Sequence, residues 1–111
     1  MDNYQIIITD HAYNSILEIC DYIANDLLNP SAAQEHLNVF RRVIIENLAF
    51  MPERYKTIDE EPWGSQGVRK LHVKNYYIYY WINCEKHLVF VTDVIYAGSN
   101  QEKWLFYMPM Q

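Results

Sequence analysis

Hydrophobic residues recur along the first half of this chain with the period of a helix and along the second half with the period of a strand. The run 4–9 (YQIIIT) is rich in β-branched residues and predicts a first strand. From there to about Leu27, apolar residues follow three- and four-residue spacing, which predicts an amphipathic helix with Thr9 as N-cap. Its inner stripe comprises Ala12, Ile16, Ile19, Cys20 and Ile23.

A second helix is predicted to begin at Asn29-Pro30, with Asn as N-cap and Pro at the first helical position, where its missing N–H needs no partner. It ends near Phe50, since Pro52 follows. Its inner stripe comprises Ala33, Leu37, Phe40, Ile44 and Leu48. The link between the two helices is so short that they must pack as an antiparallel hairpin.

The second half of the chain predicts a small sheet. Residues 53–66, which include Pro62 and Gly64, predict a loop. The strands that follow lie at about 67–74, 76–83 and 87–95. Their short connections force antiparallel meander pairing. After a break at Gly98, residues 101–107 predict one or two helical turns.

Strand alternation assigns side chains of this sheet to two faces. In the first strand of the meander Lys70, His72 and Lys74 point away from Arg69, Leu71 and Val73. In the next strand Tyr76, Ile78, Tyr80 and Ile82 share one face, which we expect to be core. The opposite face carries Tyr77, Tyr79 and Trp81, which are candidates to stack on bases or to cover a helix or a partner.

Length and composition predict one globular domain over residues 1–111, without a membrane span, because no apolar run approaches 18 residues. The N-terminus lacks the basic and apolar regions of a signal peptide, so the cytoplasm is the expected compartment. Cys20 is expected to be a buried free thiol, and Cys84 lies too far along the chain to form a C-x-x-C motif. His11, His36 and His87 lack ligand spacing. We therefore expect neither a metal nor a cofactor.

The net charge of −5 argues against a chain that binds nucleic acid over its whole surface. The charge is also unevenly distributed. Residues 1–40 contain no Lys or Arg, and their six acids are Asp2, Asp10, Glu18, Asp21, Asp26 and Glu35. Residues 54–86 carry six basic residues, Arg54, Lys56, Arg69, Lys70, Lys74 and Lys86, against four acids. An anionic partner is therefore expected on the sheet half only.

Three local patterns, in this order, resemble the RelE/ParE family of small bacterial toxins. The helix pair contains residues 22–24 (YIA) and 29–33 (NPSAA), and residues 48–54 (LAFMPER) leave the second helix. The third pattern is Glu61-Pro62-Trp63 followed by Gly67-x-Arg69-x-Leu71-x-Val73-x-Asn75-Tyr76-x-x-x-Tyr80. The resemblance covers residues 4–105 and implies a RelE/ParE-like α+β fold, in which a helical hairpin packs on a small antiparallel sheet with a short C-terminal helical tail.

The resemblance implies a toxin of a type II toxin–antitoxin module, of the plasmid-stabilisation type, neutralised by an antitoxin from the same operon. RelE-type members cleave mRNA in the ribosomal A site without metal, whereas ParE-type members inhibit DNA gyrase. Two departures separate this chain from the nucleases. Tyr77 stands where they carry an arginine, and residues 97–100 (AGSN) stand where they carry basic residues.

Metal-free RNA cleavage needs a base, an acid and a cation for the phosphate. The candidate catalytic residues are Arg69, His72 and Tyr96, and the candidate RNA-binding residues are Arg54, Lys70, Lys74 and Tyr77. Each also has a structural interpretation: Arg69 can pair with Glu60 or Glu61, and His72 can belong to a solvated face. Arg54 can be a helix-end residue, and Tyr96 can serve only in packing.

Three hypotheses follow: a ribosome-dependent mRNA endonuclease, a non-enzymatic gyrase inhibitor, and a decayed toxin fold that only binds its antitoxin. An antitoxin is the expected partner in all three, and the chain would oligomerise through it. Exposed strand edges and grooves are expected docking sites. The apolar segment 104–108 (WLFYM) is expected either to cap the core or to occupy the groove that an antitoxin would take.

Overall fold

The computed structural model describes residues 3–111, so Met1 and Asp2, one of the acids counted above, lie outside the described residues. A first strand leads into a helical hairpin, a three-stranded meander and a short terminal helix. The elements are β1 (Gln5–Ile8), α1 (Asp10–Asp21), α2 (Pro30–Leu48), β2 (Arg69–Val73), β3 (Tyr76–Asn83), β4 (Leu88–Tyr96) and α3 (Gln101–Leu105). Where a single helix to Leu27 is predicted, α1 ends earlier and continues as a π-helical turn, Tyr22–Asp26.

The four strands form one sheet in the order β1-β4-β3-β2. The antiparallel meander is confirmed by the pairs β2–β3 and β3–β4. The expectation of a wholly antiparallel sheet is corrected by β1, which pairs with β4 in parallel, Gln5 opposite Leu88 and Ile8 opposite Val91. A parallel pair needs a long crossover, and the helical hairpin with β2 and β3 supplies it.

Both helix starts are built as predicted. The Thr9 hydroxyl accepts a hydrogen bond from the Ala12 N–H at 3.1 Å. The Asn29 side chain accepts one from the Ala32 N–H at 3.2 Å, with Pro30 at the first helical position. Each cap satisfies a backbone donor that the first turn leaves without an intrahelical partner.

The main core lies between the helical hairpin and the face of the sheet that we call the helix face. Both predicted helical stripes are confirmed, with Ile16, Phe40 and Ile44 buried against Ile78 and Tyr80. The Tyr80 hydroxyl donates to the Pro52 carbonyl at 2.7 Å, so the largest polar group of this core is satisfied.

A second core covers the opposite, outer face of the sheet. It comprises Ile58 and Val68 from the loop before β2, Tyr79 and Ile95 from the sheet, and Leu105 and Met108 from the C-terminal segment. Trp81 donates its indole N–H to the Met110 carbonyl at 2.6 Å and stacks on Phe90. Of the two alternatives for the apolar tail, the structure therefore has the tail capping the sheet.

The loop before β2 is held against the sheet by its own backbone. The Ile58 N–H bonds the Val68 carbonyl at 2.9 Å, and Thr57 forms a bridge with Arg69. Gly64 approaches the loop so closely that a Cβ atom there would lie 2.1 Å from the Ile58 carbonyl oxygen. Only glycine fits such an approach, so this side of the outer core depends on it.

The neighbours Leu105 and Phe106 allow a direct test of the tail as a structural cap. Leu105 is fully buried, whereas Phe106 is 78% exposed. We expect Leu105→Ala to lower the free energy of unfolding by about 2–5 kcal/mol through lost burial and a cavity. Phe106→Ala should change it by no more than about 0.5 kcal/mol. Urea unfolding followed by circular dichroism measures both, and equal small effects would contradict a docked tail.

Candidate functional site

Three of the predicted site residues meet on the outer face at the edge strand β2. His72 lies opposite Tyr77 in the β2–β3 register, with their ring centroids 4.9 Å apart. The Lys70 ammonium lies 4.1 Å from the centroid of the same Tyr77 ring. A cation over an aromatic face is attracted by the ring quadrupole. Lys70, His72 and Tyr77 therefore form one cluster, which we call the β2 cluster.

A groove of about 720 Å³ runs beside the β2 cluster, around the edge of the sheet to α2. Asn47 and Tyr55 line its far side. Arg54 does not line the groove but donates to the Asn47 side chain at 3.1 Å and to the Tyr55 hydroxyl at 3.3 Å. Arg54 is thus engaged at the end of α2 by two residues that line the groove.

Arg69 lies on the helix face of β2 and is used to hold the chain together. Its guanidinium donates to the backbone carbonyls of Glu53, at 3.2 Å, and Tyr55. These acceptors lie in the segment that leaves α2, so Arg69 ties that segment to the sheet. The alternative partners considered from sequence, Glu60 and Glu61, do not receive it; Glu61 instead accepts from Ser65.

Tyr96 and Lys74 lie away from the β2 cluster. Tyr96 pairs with Tyr76 on the helix face, with the two ring centroids 6.0 Å apart, so the sheet separates it from His72. Lys74 lies beyond the end of β2, in the turn to β3, with a φ of 53°. Its assignment to the strand face with Lys70 and His72 is therefore corrected: it projects from the hairpin turn.

Tyr79, a predicted candidate for base stacking, is not accessible to a base. The second core buries it completely, because the tail and the loop before β2 cover the outer face there. Burial also raises the pKa of Tyr79 and Tyr80 well above the usual range, which keeps both phenols protonated near neutral pH. Burial likewise raises the pKa of the half-buried Cys20 thiol, so it is a poor nucleophile.

One polar group that the sequence analysis does not single out is Asp93, almost fully buried in β4. A register shift in the β3–β4 pair lies beside it, and bulges of this kind re-aim side chains. Its carboxylate accepts from the Ser15 hydroxyl at 2.7 Å and lies 3.0 Å from His11 Nε2, both on α1. A lone acid inside an apolar strand is the sequence signal that reveals it.

The chain matches one family of known proteins over most of its length. The family model described as the ParE toxin of type II toxin–antitoxin systems, parDE, matches residues 6–100. The chain belongs to this family. It is therefore a toxin of a type II toxin–antitoxin module. No curated protein sequence matches the chain.

Solved structures share the fold of this ParE-family toxin at low sequence identity. The toxin–antitoxin complex RelBE2 from Mycobacterium tuberculosis matches with 18% identity and a TM-score of 0.65, covering 89% of this chain and 97% of that one. The chromosomal ParDE system from P. aeruginosa matches with 15% identity and a TM-score of 0.68, covering 88% and 100%. A mutant of the E. coli toxin RelE in the free state matches with 16% identity and a TM-score of 0.52, covering 92% of each chain. The RelE/ParE-like α+β class is thereby confirmed.

Residues 3–111 of the ParE-family chain offer neither a membrane-spanning helix nor a metal site. No helix there is both long and apolar enough to cross a membrane. No three His, Cys, Asp or Glu side chains within that range gather in a way that suits a metal ion.

The structural role of Arg69 is separable from a catalytic one. Arg69→Ala removes two charge-assisted hydrogen bonds to carbonyls, and we expect the free energy of unfolding to fall by about 1–3 kcal/mol. Lys56→Ala, at an exposed cation in the same region, is the control, with an effect of no more than about 0.5 kcal/mol. Chemical denaturation measures both. Unchanged stability together with lost toxicity would instead make the Arg69 guanidinium a functional group.

The adjacent tyrosines of β3 provide a second test. The buried Tyr79 hydroxyl has no hydrogen-bond partner among the described residues, whereas Tyr80 donates to Pro52. Tyr79→Phe should leave the free energy of unfolding unchanged or raise it by up to about 1 kcal/mol, since it removes an unsatisfied polar group. Tyr80→Phe should lower it by about 1–2 kcal/mol. Thermal and urea unfolding measure the pair, and the reverse order would show that the Tyr79 hydroxyl is paired.

Proposed function

We propose that this ParE-family toxin acts by binding DNA gyrase and stalling it, without cleaving RNA, and that an antitoxin protein neutralises it. The observation that carries the proposal is the separation of the three candidate catalytic residues. Arg69 and Tyr96 lie on the helix face of the sheet and His72 lies on the outer face. A toxin that acts by binding alone does not require them to converge.

Cleavage of RNA through its 2′-OH requires a base, an acid and a cation around one phosphate. His72 is exposed, and an imidazole is the side chain that most often serves as an acid–base group. The cation best suited to two phosphate oxygens, Arg69, is engaged by two backbone carbonyls. Tyr77 occupies the position at which the RelE-type nucleases carry an arginine. Within residues 3–111, the β2 cluster therefore presents one acid–base group and one lysine.

The remaining surface of the toxin suits a protein partner better than a nucleic acid. The described part of the helical hairpin up to residue 40 carries acids and no Lys or Arg, which would repel phosphates. Large apolar side chains lie exposed on the same hairpin, including Tyr13, Leu28 and Ile45. Exposed apolar area beside charged residues is a common feature of protein-binding surfaces.

For the antitoxin, we propose docking along the edge of β2 and the groove beside it. β2 is an outer strand of the sheet, and an edge strand can accept an added strand from another chain. The groove next to it would accommodate side chains of the same segment. Similar folds, RelBE2 and ParDE, form toxin–antitoxin systems. Either target of this toxin, gyrase or the ribosome, implies action in the cytoplasm.

An mRNA endonuclease is the second candidate, and the β2 cluster is the observation that favours it. Lys70 and His72 flank an accessible tyrosine ring beside an open groove. A base can stack on Tyr77 while Lys70 contacts a phosphate. In this alternative His72 serves as the proton-transfer group, and cleavage depends on the ribosome to complete the site.

The two candidates give opposite results with purified toxin in two parallel reactions. In DNA supercoiling by gyrase, we expect inhibition that rises with toxin concentration. In cell-free translation with mapping of mRNA ends, we expect no new ends within ribosome-bound codons, because the described site lacks a free arginine for the phosphate.

The variants His72→Ala and Lys70→Ala identify the surface responsible, with Lys86→Ala in the β3–β4 turn as control for loss of an exposed cation. New mRNA ends that disappear in His72→Ala and persist in Lys86→Ala, with supercoiling unaffected, would replace the gyrase proposal by the endonuclease. Intact mRNA and normal supercoiling together would leave a toxin fold that only binds its antitoxin.

A further inference from the structure

A second groove, of about 880 Å³, has a lining that shares no residue with the groove beside the β2 cluster. It runs between the exposed flank of α1, the end of β4 and the terminal helix α3. The proposed activity and the proposed antitoxin site use none of it. Its walls combine carboxylates with aromatic rings, whereas the core between the helices and the sheet is mainly aliphatic.

The α1 wall of this groove is a polar stripe at helical spacing. His11, Ser15, Glu18 and Tyr22 follow one another at intervals of four, three and four residues and all line the groove. They lie beside the apolar stripe that α1 buries against the sheet. Glu18 is exposed, so its carboxylate is available to a partner.

The floor contains the buried carboxylate of Asp93. The Ser15 hydroxyl and the Val94 N–H both donate to Asp93 Oδ1, at 2.7 and 2.8 Å, and His11 Nε2 lies 3.0 Å from Oδ2. These contacts hold α1 at a fixed distance from β4 and fix the shape of the floor. Asp93 is thus a second acidic residue, besides Glu18, in the lining of the groove.

Aromatic rings form the remaining walls. Tyr22, Tyr96 and Trp104 line the groove and are 55%, 54% and 48% exposed. The Tyr96 ring lies against the turn that follows β4, where a Cβ atom on Gly98 would come within 2.4 Å of the ring. The Ser99 hydroxyl also bonds the Tyr96 carbonyl at 2.7 Å. Tyr96 is thus held in place while its ring stays half exposed.

We infer that this groove binds an arginine side chain presented by a segment of a partner protein. A guanidinium pairs with a carboxylate through two parallel hydrogen bonds and also stacks on aromatic faces. Glu18 and the rings of Tyr22 and Tyr96 supply both kinds of contact. Residues 3–40 contain no Lys or Arg to compete for the groove.

The charges around the groove favour this occupant over a nucleic acid. A base can stack on exposed tyrosines, but its phosphates would meet the carboxylates of Glu18 and Asp93, and residues 3–40, which include α1, carry no arginine or lysine to offset them. The neighbouring cation is Lys103, whose ammonium lies 5.5 Å from the Trp104 ring centroid. It would repel a second cation at that ring, so the guanidinium is placed nearer Glu18 and Tyr22.

A titration of the full-length chain with Nα-acetyl-arginine amide tests the inference, followed by ¹H–¹⁵N correlation spectra. We expect saturable shifts at groove residues with a dissociation constant on the order of 1 mM, as suits a fragment of this size. The amide of Nα-acetyl-citrulline, which has nearly the same shape without the charge, should give no saturable shift. The experiment requires neither toxicity nor an antitoxin, so its failure is distinguishable from failure of the proposed function.

Matched variants locate the site. Glu18→Gln should weaken arginine amide binding about threefold to fivefold, the range for one exposed ion pair. Glu46→Gln, at an exposed acid on α2, should not. The inference is overturned if no shifts appear at about 20 mM, some twenty times the expected constant. It is also overturned if citrulline amide binds equally or if the two glutamate variants have the same effect.

Discussion

The structure depends on strand β3, which is apolar on both faces and therefore needs two covers. On the helix face, Ile78 and Tyr80 pack under the hairpin of α1 and α2. On the outer face, Tyr79 is buried by the loop before β2 and by the C-terminal segment. β3 is flanked by β4 and β2 and is buried on both faces, so both covers are needed to remove its apolar side chains from water. The loop before β2 and the C-terminal segment are for this reason parts of the core, although both look irregular in the sequence.

The features predicted correctly are those set by local chemistry. The caps Thr9 and Asn29, the two helical stripes and the meander follow from spacing and from short connections. The features missed depend on contacts between distant segments. The parallel pairing of β1 with β4 joins the two ends of the fold, and the burial of Tyr79 depends on residues about 25 to 30 positions further along the chain. Period-two alternation identifies two faces, but it cannot tell that both are covered.

The same limit applies to the candidate site. Alternation alone puts Lys70 and His72 on one face of β2, but the β2–β3 register is needed to bring Tyr77 beside them. The sequence cannot reveal that the Arg69 guanidinium donates to the carbonyls of Glu53 and Tyr55, since backbone acceptors leave no trace in it. Nor does a position at the end of β4 tell which face Tyr96 occupies, because the register shift in the β3–β4 pair changes the alternation there. A single bulge thus decides which candidates can act together.

Covering the outer face also determines which surfaces remain available for partners. Once the tail occupies the middle of that face, open grooves are left at the edge strand β2 and at the flank of α1. The β2 groove carries Lys70 and His72, whereas the α1 groove carries Glu18 and Asp93. Because the two grooves differ in charge and share no lining residue, segments of opposite charge would bind them without competing. A neutralising partner long enough to reach both grooves would gain affinity by linking two modest contacts.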